Sequence, residues 1–182
     1  IENISNEIVN LYSEKGLLDK KSEYLFTDKT LDNFFFIGLI KKIFPYAKVI
    51  NCRRNPLSSI VSIIKNNLGA VSWAHNLENI FKFFDIYHKK IENFKTTFPN
   101  FIYDLKLENF VSNPDEESKK LMEYCELPWD KKCLEFYKRK DLVSRTASNI
   151  QIRKPIYKNI KDKNIPYKLF LKKYGEKYNW FK

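Results

Sequence analysis

Two adjacent arginines, Arg53 and Arg54, stand between a short apolar stretch and an Asn55-Pro56 pair. The stretch at 47–52 carries β-branched residues at its centre, which predicts a strand. Asparagine is a favoured helix N-cap and proline a favoured first helical residue, so a helix is predicted to begin here. Guanidinium groups beside the positive end of a helix attract anions. This arrangement predicts a site for a phosphate-like anion.

Length and composition indicate a single globular domain that spans residues 1–182. The chain is 43% hydrophobic and 16% aromatic, which is enough apolar material for a core and excludes a disordered tail. Lysine and arginine number 33 against 22 for aspartate and glutamate, which gives a formal charge of +11. That balance favours an anionic ligand or a polyanionic partner, although a solvated surface rich in lysine would give the same total.

The cysteines do not form a metal-binding or disulfide pattern. Cys52, Cys125 and Cys133 are an odd number without C-x-x-C spacing, and His75 and His88 are the two histidines. We therefore expect no metal site, and a reducing, cytoplasmic compartment is the simpler interpretation. No apolar run is long enough to cross a bilayer, and the first residues lack the basic start and apolar core of a signal peptide.

Hydrophobic periodicity predicts strands that alternate with helices. The predicted strands cover 24–27, 47–52 and 101–107, and the predicted helices cover 4–11, 31–44, 56–67, 76–97, 113–125, 131–137 and 167–173. The 76–97 helix carries an apolar stripe that is expected to face the core. The segment 141–155 is polar and basic, which predicts an extended loop. Alternating strands and helices favour an α/β fold with a parallel sheet flanked by helices.

Three segments in this order, 26–62, 107–136 and 146–157, resemble the PAPS-dependent sulfotransferases. The resemblance runs from Tyr24 to Tyr157 and is strongest to the branch that contains tyrosylprotein sulfotransferases and bacterial sulfotransferases with helical-repeat extensions. It implies a P-loop-type α/β fold. It also implies transfer of a sulfuryl group from the donor 3′-phosphoadenosine 5′-phosphosulfate (PAPS) to a hydroxyl or amine acceptor.

The resemblance assigns Arg54 and Ser62 to the 3′-phosphate of the donor. The family uses an arginine just after a strand and a serine eight positions later on the following helix, and both residue types are present at that spacing. A dianionic phosphate suits charge-assisted bonds from a planar guanidinium together with a hydroxyl. The alternative is that Arg54 pairs with a surface carboxylate and that Ser62 is an ordinary helical serine.

The resemblance also gives Lys29 a catalytic role. This lysine corresponds to the family residue that reaches the oxygen bridging phosphate and sulfate, where its ammonium would neutralise the leaving group. The alternative is one exposed lysine in a chain that has many. The preceding Asp28 could orient Lys29 or cap the next helix, and capping is the preferred interpretation.

The basic carboxy-terminal region 141–182 is expected to form a nucleotide-covering loop followed by a terminal helix. Part of it resembles the family segment that closes over the adenosine and the 3′-phosphate. The expected contacts with the nucleotide are Ser148, Gln151, Arg153 and Lys154. A solvated basic loop would show the same composition, so this assignment rests on the resemblance alone.

One departure from the family concerns the adenine. The family strand before its N/D-P helix ends in Tyr-Glu, with the tyrosine near the adenine, whereas this chain has Leu107-Glu108 there. Stacking on the adenine at that position is therefore lost. Tyr103 or Trp73 could take over the role, although each is more often a core aromatic.

A second departure concerns the glycine-rich loop that cradles the 5′-phosphosulfate in the family. The four glycines of this chain are scattered along its length, and none are clustered. The family's general base lies beyond that loop and has no counterpart here either. We therefore expect this chain to be the carboxy-terminal part of a longer enzyme, with a sheet that is incomplete on its amino-terminal side and no activity without the missing loop.

Two other classes of function remain to be compared with the enzyme. The absence of a clustered glycine loop favours a noncatalytic nucleotide-binding or interaction module. A nucleic-acid-binding protein is disfavoured, because no helix-turn-helix, RNP-type motif or zinc finger is present. The acceptor is open to a peptide, a sugar or a small molecule, and no pattern in the sequence indicates an oligomeric state.

Overall fold

The computed structural model of this protein describes residues 2–18, 25–139, 151–156 and 165–181. The strands are β1 (Val49–Arg53) and β2 (Ile102–Lys106). The α-helices are α1 (Glu2–Glu14), α2 (Ile37–Ile43), α3 (Pro56–Asn66), α4 (Leu77–Thr97), α5 (Leu107–Ser112), α6 (Pro114–Tyr124) and α7 (Lys168–Gly175). Short 3₁₀ helices cover Leu31–Phe35, Ser72–His75, Lys131–Lys138, Gln151–Arg153, Ile165–Tyr167 and Asn179–Phe181.

The two strands form a parallel sheet. Val49 pairs with Ile102 at one end, and Arg53 pairs with Lys106 at the other. Helices α3 and α4 make the crossover that parallel strands require. The carboxyl ends of both strands lie at the same edge of the sheet, and each leads into a helix. The edge that carries the two arginines is therefore also where α3 and α5 begin.

Helices flank the sheet on both faces. Asp104 and Tyr103 point to opposite faces, because side chains alternate along a strand. Asp104 is hydrogen-bonded to Lys95 of α4, whereas the Tyr103 ring packs on Tyr124 of α6 with centroids 5.0 Å apart. The structure is thus a mixed helix and strand fold with a small parallel sheet, which agrees with the predicted α/β class.

Helix α4 takes part in two apolar clusters that the described residues form. The first cluster joins α3, α4 and α7 through Leu57, Ile60, Val61, Ile80, Phe81 and Leu171. The second cluster joins α4 to the segments before each strand through Phe34, Ile37, Ile91 and Phe101. The predicted apolar stripe of this helix is confirmed, since Ile80, Phe81 and Ile91 are buried. Its cap is Asn76, whose Oδ1 accepts the N–H of Asn79 at 3.2 Å.

Three predicted elements differ from the structure. Residues 25–27 of the predicted 24–27 strand form no strand, and a run of four residues is too short for alternation to identify one. The predicted helix at 31–44 is divided into a 3₁₀ helix and α2, because Phe36 has φ −112° and ψ 11°. The predicted 101–107 strand stops at Lys106, and α5 follows at once. Helix α5 has a polar face and only six residues, so its sequence shows no detectable helical period.

Candidate functional site

A large cleft of about 2020 Å³ lies along one edge of β1. Every residue from 47 to 54 lines it. One face of a strand would present only alternate residues, so the edge of β1 that pairs with no described strand faces the cleft. Residues of α1, the segment 25–34 and α2 also line it. This volume is about twice the upper end of ordinary small-molecule pockets. The cleft therefore has room for more than a single small ligand.

Arg54 lies just beyond β1, where it is exposed and lines the cleft. Among the described residues it makes no hydrogen bond or ion pair. Helix α3 begins at Pro56 as predicted, and Asn55 is its N-cap, with Oδ1 accepting the N–H of Ser58 at 3.1 Å. The cap uses that N–H, and proline has none to offer. The Arg54 guanidinium therefore adds a full positive charge at a helix end where two of the first three residues offer no free N–H.

Arg53 has internal partners, unlike its neighbour. Its Nη1 lies 3.3 Å from Oδ2 of Asp104, which also accepts from Nζ of Lys95 at 2.5 Å. The other oxygen of Asp104 accepts from the Asn51 amide at 2.7 Å, and the Tyr87 hydroxyl donates to that amide's oxygen at 2.7 Å. Partial burial raises the pKa of Asp104, but these hydrogen bonds and positive charges outweigh it and lower the pKa below its ordinary value.

Lys29 lines the cleft and lies within an exposed segment that has no regular secondary structure. Cys52 of β1 lines the same cleft. Burial raises the pKa of the Cys52 thiol, and the positive charge of Lys29 acts in the opposite direction. Since Arg54 follows Cys52 by two residues, the structure brings the predicted catalytic lysine and the predicted phosphate-binding arginine to one cleft.

Asp28 does not cap the following helix, so the preferred interpretation of this residue is wrong. The residue that precedes the Leu31–Phe35 helix is Thr30, and no side chain caps that helix. The Asp28 carboxylate instead accepts hydrogen bonds from the Thr30 hydroxyl at 2.7 Å and from the Tyr12 hydroxyl at 3.0 Å. Sequence reasoning missed Tyr12, because it lies sixteen residues away on α1.

Ser62 lies in the second turn of α3 and is half-buried. Its hydroxyl accepts a hydrogen bond from the Asn66 side chain at 3.1 Å. Ser62 is not among the described residues that line the cleft, whereas Ser59, one turn earlier on the helix, is. The pairing of Arg54 with Ser62 around one phosphate stays a prediction.

The predicted contacts of the carboxy-terminal loop are only partly described. Ser148 lies outside the described residues, and Gln151 begins a 3₁₀ helix but its side chain is not described. Arg153 is exposed, and its Nη1 donates to the backbone carbonyl of Arg139 at 2.6 Å. Lys154 is exposed as well, and neither Arg153 nor Lys154 lines the cleft. Their role in covering a nucleotide stays a prediction.

The two aromatic candidates for the adenine are in different places. Trp73 lines the cleft and stacks on Phe83, with ring centroids 3.8 Å apart and planes 11° from parallel. Tyr103 packs on Tyr124 and does not line the cleft. Of the two, only Trp73 has access to a ligand in the cleft.

Glu108 connects the two helices that begin at the carboxyl edge of the sheet. Its Oε1 accepts the backbone N–H of Asn55 at 2.8 Å, which links the start of α5 to the start of α3. The sequence held a signal for this contact, since an acidic residue directly after one parallel strand lies beside the helix start that follows the other. Glu108 therefore fixes the turn from which Arg54 projects.

Neither a metal-binding cluster nor a membrane-spanning helix is present in the described residues. No group of three or more histidine, cysteine or acidic side chains in that part of the chain could hold a metal ion. No helix in the same residues has both the length and the apolar character that crossing a membrane requires.

Comparison with known proteins places these features in context. The family model described as the sulfotransferase family matches residues 4–131. An uncharacterized protein from Aquifex aeolicus (strain VF5) is 37% identical over 148 residues, a match that covers 79% of this chain and 19% of that protein. The chain thus spans about a fifth of the length of this curated relative. The family match includes Lys29, Arg54 and Ser62 and ends before the predicted nucleotide-covering loop.

Proposed function

This chain belongs to the sulfotransferase family, and on that premise we propose that it binds PAPS and takes part in transfer of its sulfuryl group to a hydroxyl or amine. Arg54 donates charge-assisted hydrogen bonds to the 3′-phosphate, and Ser62 adds a hydroxyl. Ser148, Gln151, Arg153 and Lys154 cover the nucleotide. The observation that carries this proposal is that the exposed Arg54 guanidinium and the Lys29 ammonium line one cleft at the carboxyl end of β1.

Lys29 assists the departure of the leaving group. Bound PAPS supplies the sulfuryl group, and its transfer leaves 3′,5′-adenosine bisphosphate. Negative charge builds on the departing oxygen, and a positioned ammonium lowers the barrier by stabilising that charge. Lys29 suits this role because it is exposed and lines the same cleft as β1 and Arg54.

The unpaired edge of β1 supplies the place for a glycine-rich loop. An open strand edge presents unpaired N–H and C=O groups and pairs readily with a further strand. The large cleft beside β1 has the volume for such a strand and for the loop that follows it. We therefore place a P-loop-type strand and loop, which the scattered glycines of this chain do not provide, at this edge. Transfer activity then requires that segment.

The tyrosylprotein and bacterial helical-repeat branch is the part of the family to which we assign the chain. The acceptor, whether peptide, sugar or small molecule, enters from the cleft. A noncatalytic nucleotide-binding or interaction module is the second candidate, and the absence of clustered glycines in the sequence favours it. The two functions differ in whether Lys29 contributes to a reaction or to binding alone.

Calorimetry with 3′,5′-adenosine bisphosphate tests the donor site. We expect Arg54→Ala to weaken binding about 10- to 100-fold, because charge-assisted hydrogen bonds to the 3′-phosphate are lost. Arg54→Lys keeps the charge but loses the planar fork, so it should restore part of the affinity. Adenosine 5′-monophosphate lacks the 3′-phosphate and serves as the control ligand. Equal loss of affinity for both nucleotides would contradict the assignment of Arg54.

Radiolabelled PAPS separates the two candidate functions in the full-length protein. An enzyme releases label to an acceptor or to water, and Lys29→Ala should slow this release far more than it weakens nucleotide affinity. Binding without any release of label, in wild type and variant alike, would favour the noncatalytic module. Absence of nucleotide binding would remove both candidates.

A further inference from the structure

Lys29 lies on a segment that has no regular secondary structure. Residues 25–30 form neither helix nor strand, and Lys29 is exposed. A lysine side chain has many rotamers of similar energy, and an irregular backbone adds further freedom. A catalytic group must be held close to its productive position to be effective. The structure therefore has to fix this segment by other contacts.

The carboxylate of Asp28 makes the main polar contacts that hold this segment in place. Tyr12 of α1 donates to its Oδ2 at 3.0 Å, and Thr30 donates to its Oδ1 at 2.7 Å. Partial burial raises the pKa of Asp28, but side-chain hydrogen bonding, mainly from Thr30 and Tyr12, outweighs it and lowers the pKa, so the group stays ionised at neutral pH. An ionised acceptor makes each bond stronger.

Aromatic contacts support the same segment. The ring of Phe26 meets Tyr12 of α1 edge to face at 6.0 Å between centroids. It meets Phe44, just after α2, in the same way at 6.2 Å. The segment is thus bound to α1 through Tyr12 twice, once by its ring and once by its hydroxyl. Only the hydroxyl contact reaches the residue next to Lys29.

We propose that Asp28 is a positioning residue, which directs Lys29 into the cleft by anchoring its segment to Tyr12 of α1. The proposal rests on the function proposed for Lys29. Helix α1 then contributes to the site through Tyr12, although none of its residues is proposed to contact the donor. The hydrogen bonds of Asp28 do not cap the next helix; they join the residue directly before Lys29 to Tyr12 and Thr30.

Chemical crosslinking measures the position of Lys29 without any ligand. An amine-to-thiol reagent should join Lys29 to Cys52, because both residues line the cleft and the Cys52 thiol is free and exposed. We expect the yield of this product to fall about threefold or more in Asp28→Ala, and also to fall in Tyr12→Phe, which keeps the ring and loses the hydroxyl. Peptide mapping by mass spectrometry gives the yield.

Two controls accompany this measurement. Asp32→Ala removes another exposed carboxylate from the same part of the chain and should leave the yield unchanged. Lys48 and Cys125 also line the cleft, and their crosslink serves as an internal reference in every variant. A fall in both products would show a general loss of structure and would overturn the proposal, as would equal yields from Asp28→Ala and Asp32→Ala.

A double-mutant cycle tests whether Asp28 acts through Lys29. With 3′,5′-adenosine bisphosphate as the probe, Asp28→Ala should raise the Kd about 3- to 10-fold in the wild-type background. In the Lys29→Ala background it should have no further effect. The same factor in both backgrounds would mean that Asp28 is merely structural. If the wild type fails to bind this nucleotide, the proposed function falls, and crosslinking still decides the position of Lys29.

Discussion

Asp104→Asn is the substitution that most directly tests how the carboxyl edge of the sheet is held. The carboxylate accepts from Lys95 at 2.5 Å, from Asn51 at 2.7 Å and from Arg53 at 3.3 Å. The variant keeps the shape of the side chain and one acceptor oxygen, so the bond from Asn51 can persist. It removes the negative charge that faces two cations. It also replaces one acceptor oxygen by an NH₂ donor.

The expected loss of stability is about 2 kcal/mol. A hydrogen bond to a charged group contributes about 1.5–3 kcal/mol when it is well formed, and the longer Arg53 contact adds little. The side chains of Asp104 and Lys95 are 25% and 26% exposed, so water screens the pair in part. For a chain of this length, about 2 kcal/mol corresponds to a decrease in Tm of roughly 4–8 °C.

Urea unfolding followed by circular dichroism measures this loss. The ordinary pKa of aspartate is 3.8, and that of folded Asp104 is lower. A lowered folded pKa means that the contribution is present above pH 3.8 and is lost as the pH falls through the folded value. The difference between wild type and Asp104→Asn should therefore be constant at neutral pH and shrink in strong acid.

A matched control is available on the surface of α6. Glu116 pairs with Lys120 at 2.6 Å, but the two side chains are 65% and 50% exposed. Glu116→Gln removes the same charge and should leave the unfolding midpoint unchanged within error. If Asp104→Asn and Glu116→Gln behave alike, or if the difference from wild type persists in strong acid, the reasoning about this network is refuted.

Two further substitutions test packing away from the cleft. Tyr124→Phe should cost about 1–2 kcal/mol in urea unfolding, because its hydroxyl donates to the Phe101 carbonyl at 2.6 Å and accepts the Val49 N–H at 3.2 Å, which joins the starts of both strands. Gly175→Ala should cost about 1–3 kcal/mol in the same assay, because the added Cβ would lie 2.1 Å from Cδ1 of Phe181 and the ring must move.

Each of these predictions has a control of the same chemical type. Tyr46→Phe removes a hydroxyl from a side chain that is 91% exposed and should be neutral. Gly69→Ala adds a Cβ where no atom lies within 4 Å and should be neutral or slightly stabilising. A Gly175→Ala variant as stable as Gly69→Ala would show that Phe181 does not occupy its described position.

The parts of the fold that the sequence predicted are those with strong local signals. Helix α4 has an apolar stripe over 21 residues, and Asn76 marks its start. The turn from β1 into α3 combines β-branched residues, an N-cap and a first-position proline, so its type and position were both predictable. The same signals predicted that Arg54 lies between the end of a strand and the start of a helix. These signals lie within a few residues of the feature they predict.

The parts that the sequence did not predict depend on contacts between distant residues. The polar network of β1, α4 and β2 forms only because these three elements pack together. Its members are Asn51, Tyr87, Lys95 and Asp104, and no local sequence pattern marks any of them. Tyr12 likewise meets Asp28 through the packing of α1 against the segment 25–30. Local propensity carries no information about such pairs. The prediction that Asp28 caps the next helix was wrong because it considered only the residues adjacent to Asp28 in the sequence.

The two adjacent arginines at the end of β1 have different surroundings and therefore different roles. Arg53 is the last residue of β1, and its side chain lies on the face where Asp104 and α4 neutralise it. Arg54 follows the strand, and its guanidinium has no acceptor among the described residues and lines the cleft. An internally paired arginine has already exchanged part of its hydration for a carboxylate, so it has less to gain from a ligand anion. Arg54 retains that gain in full, which favours Arg54 over Arg53 for the anion site that we propose.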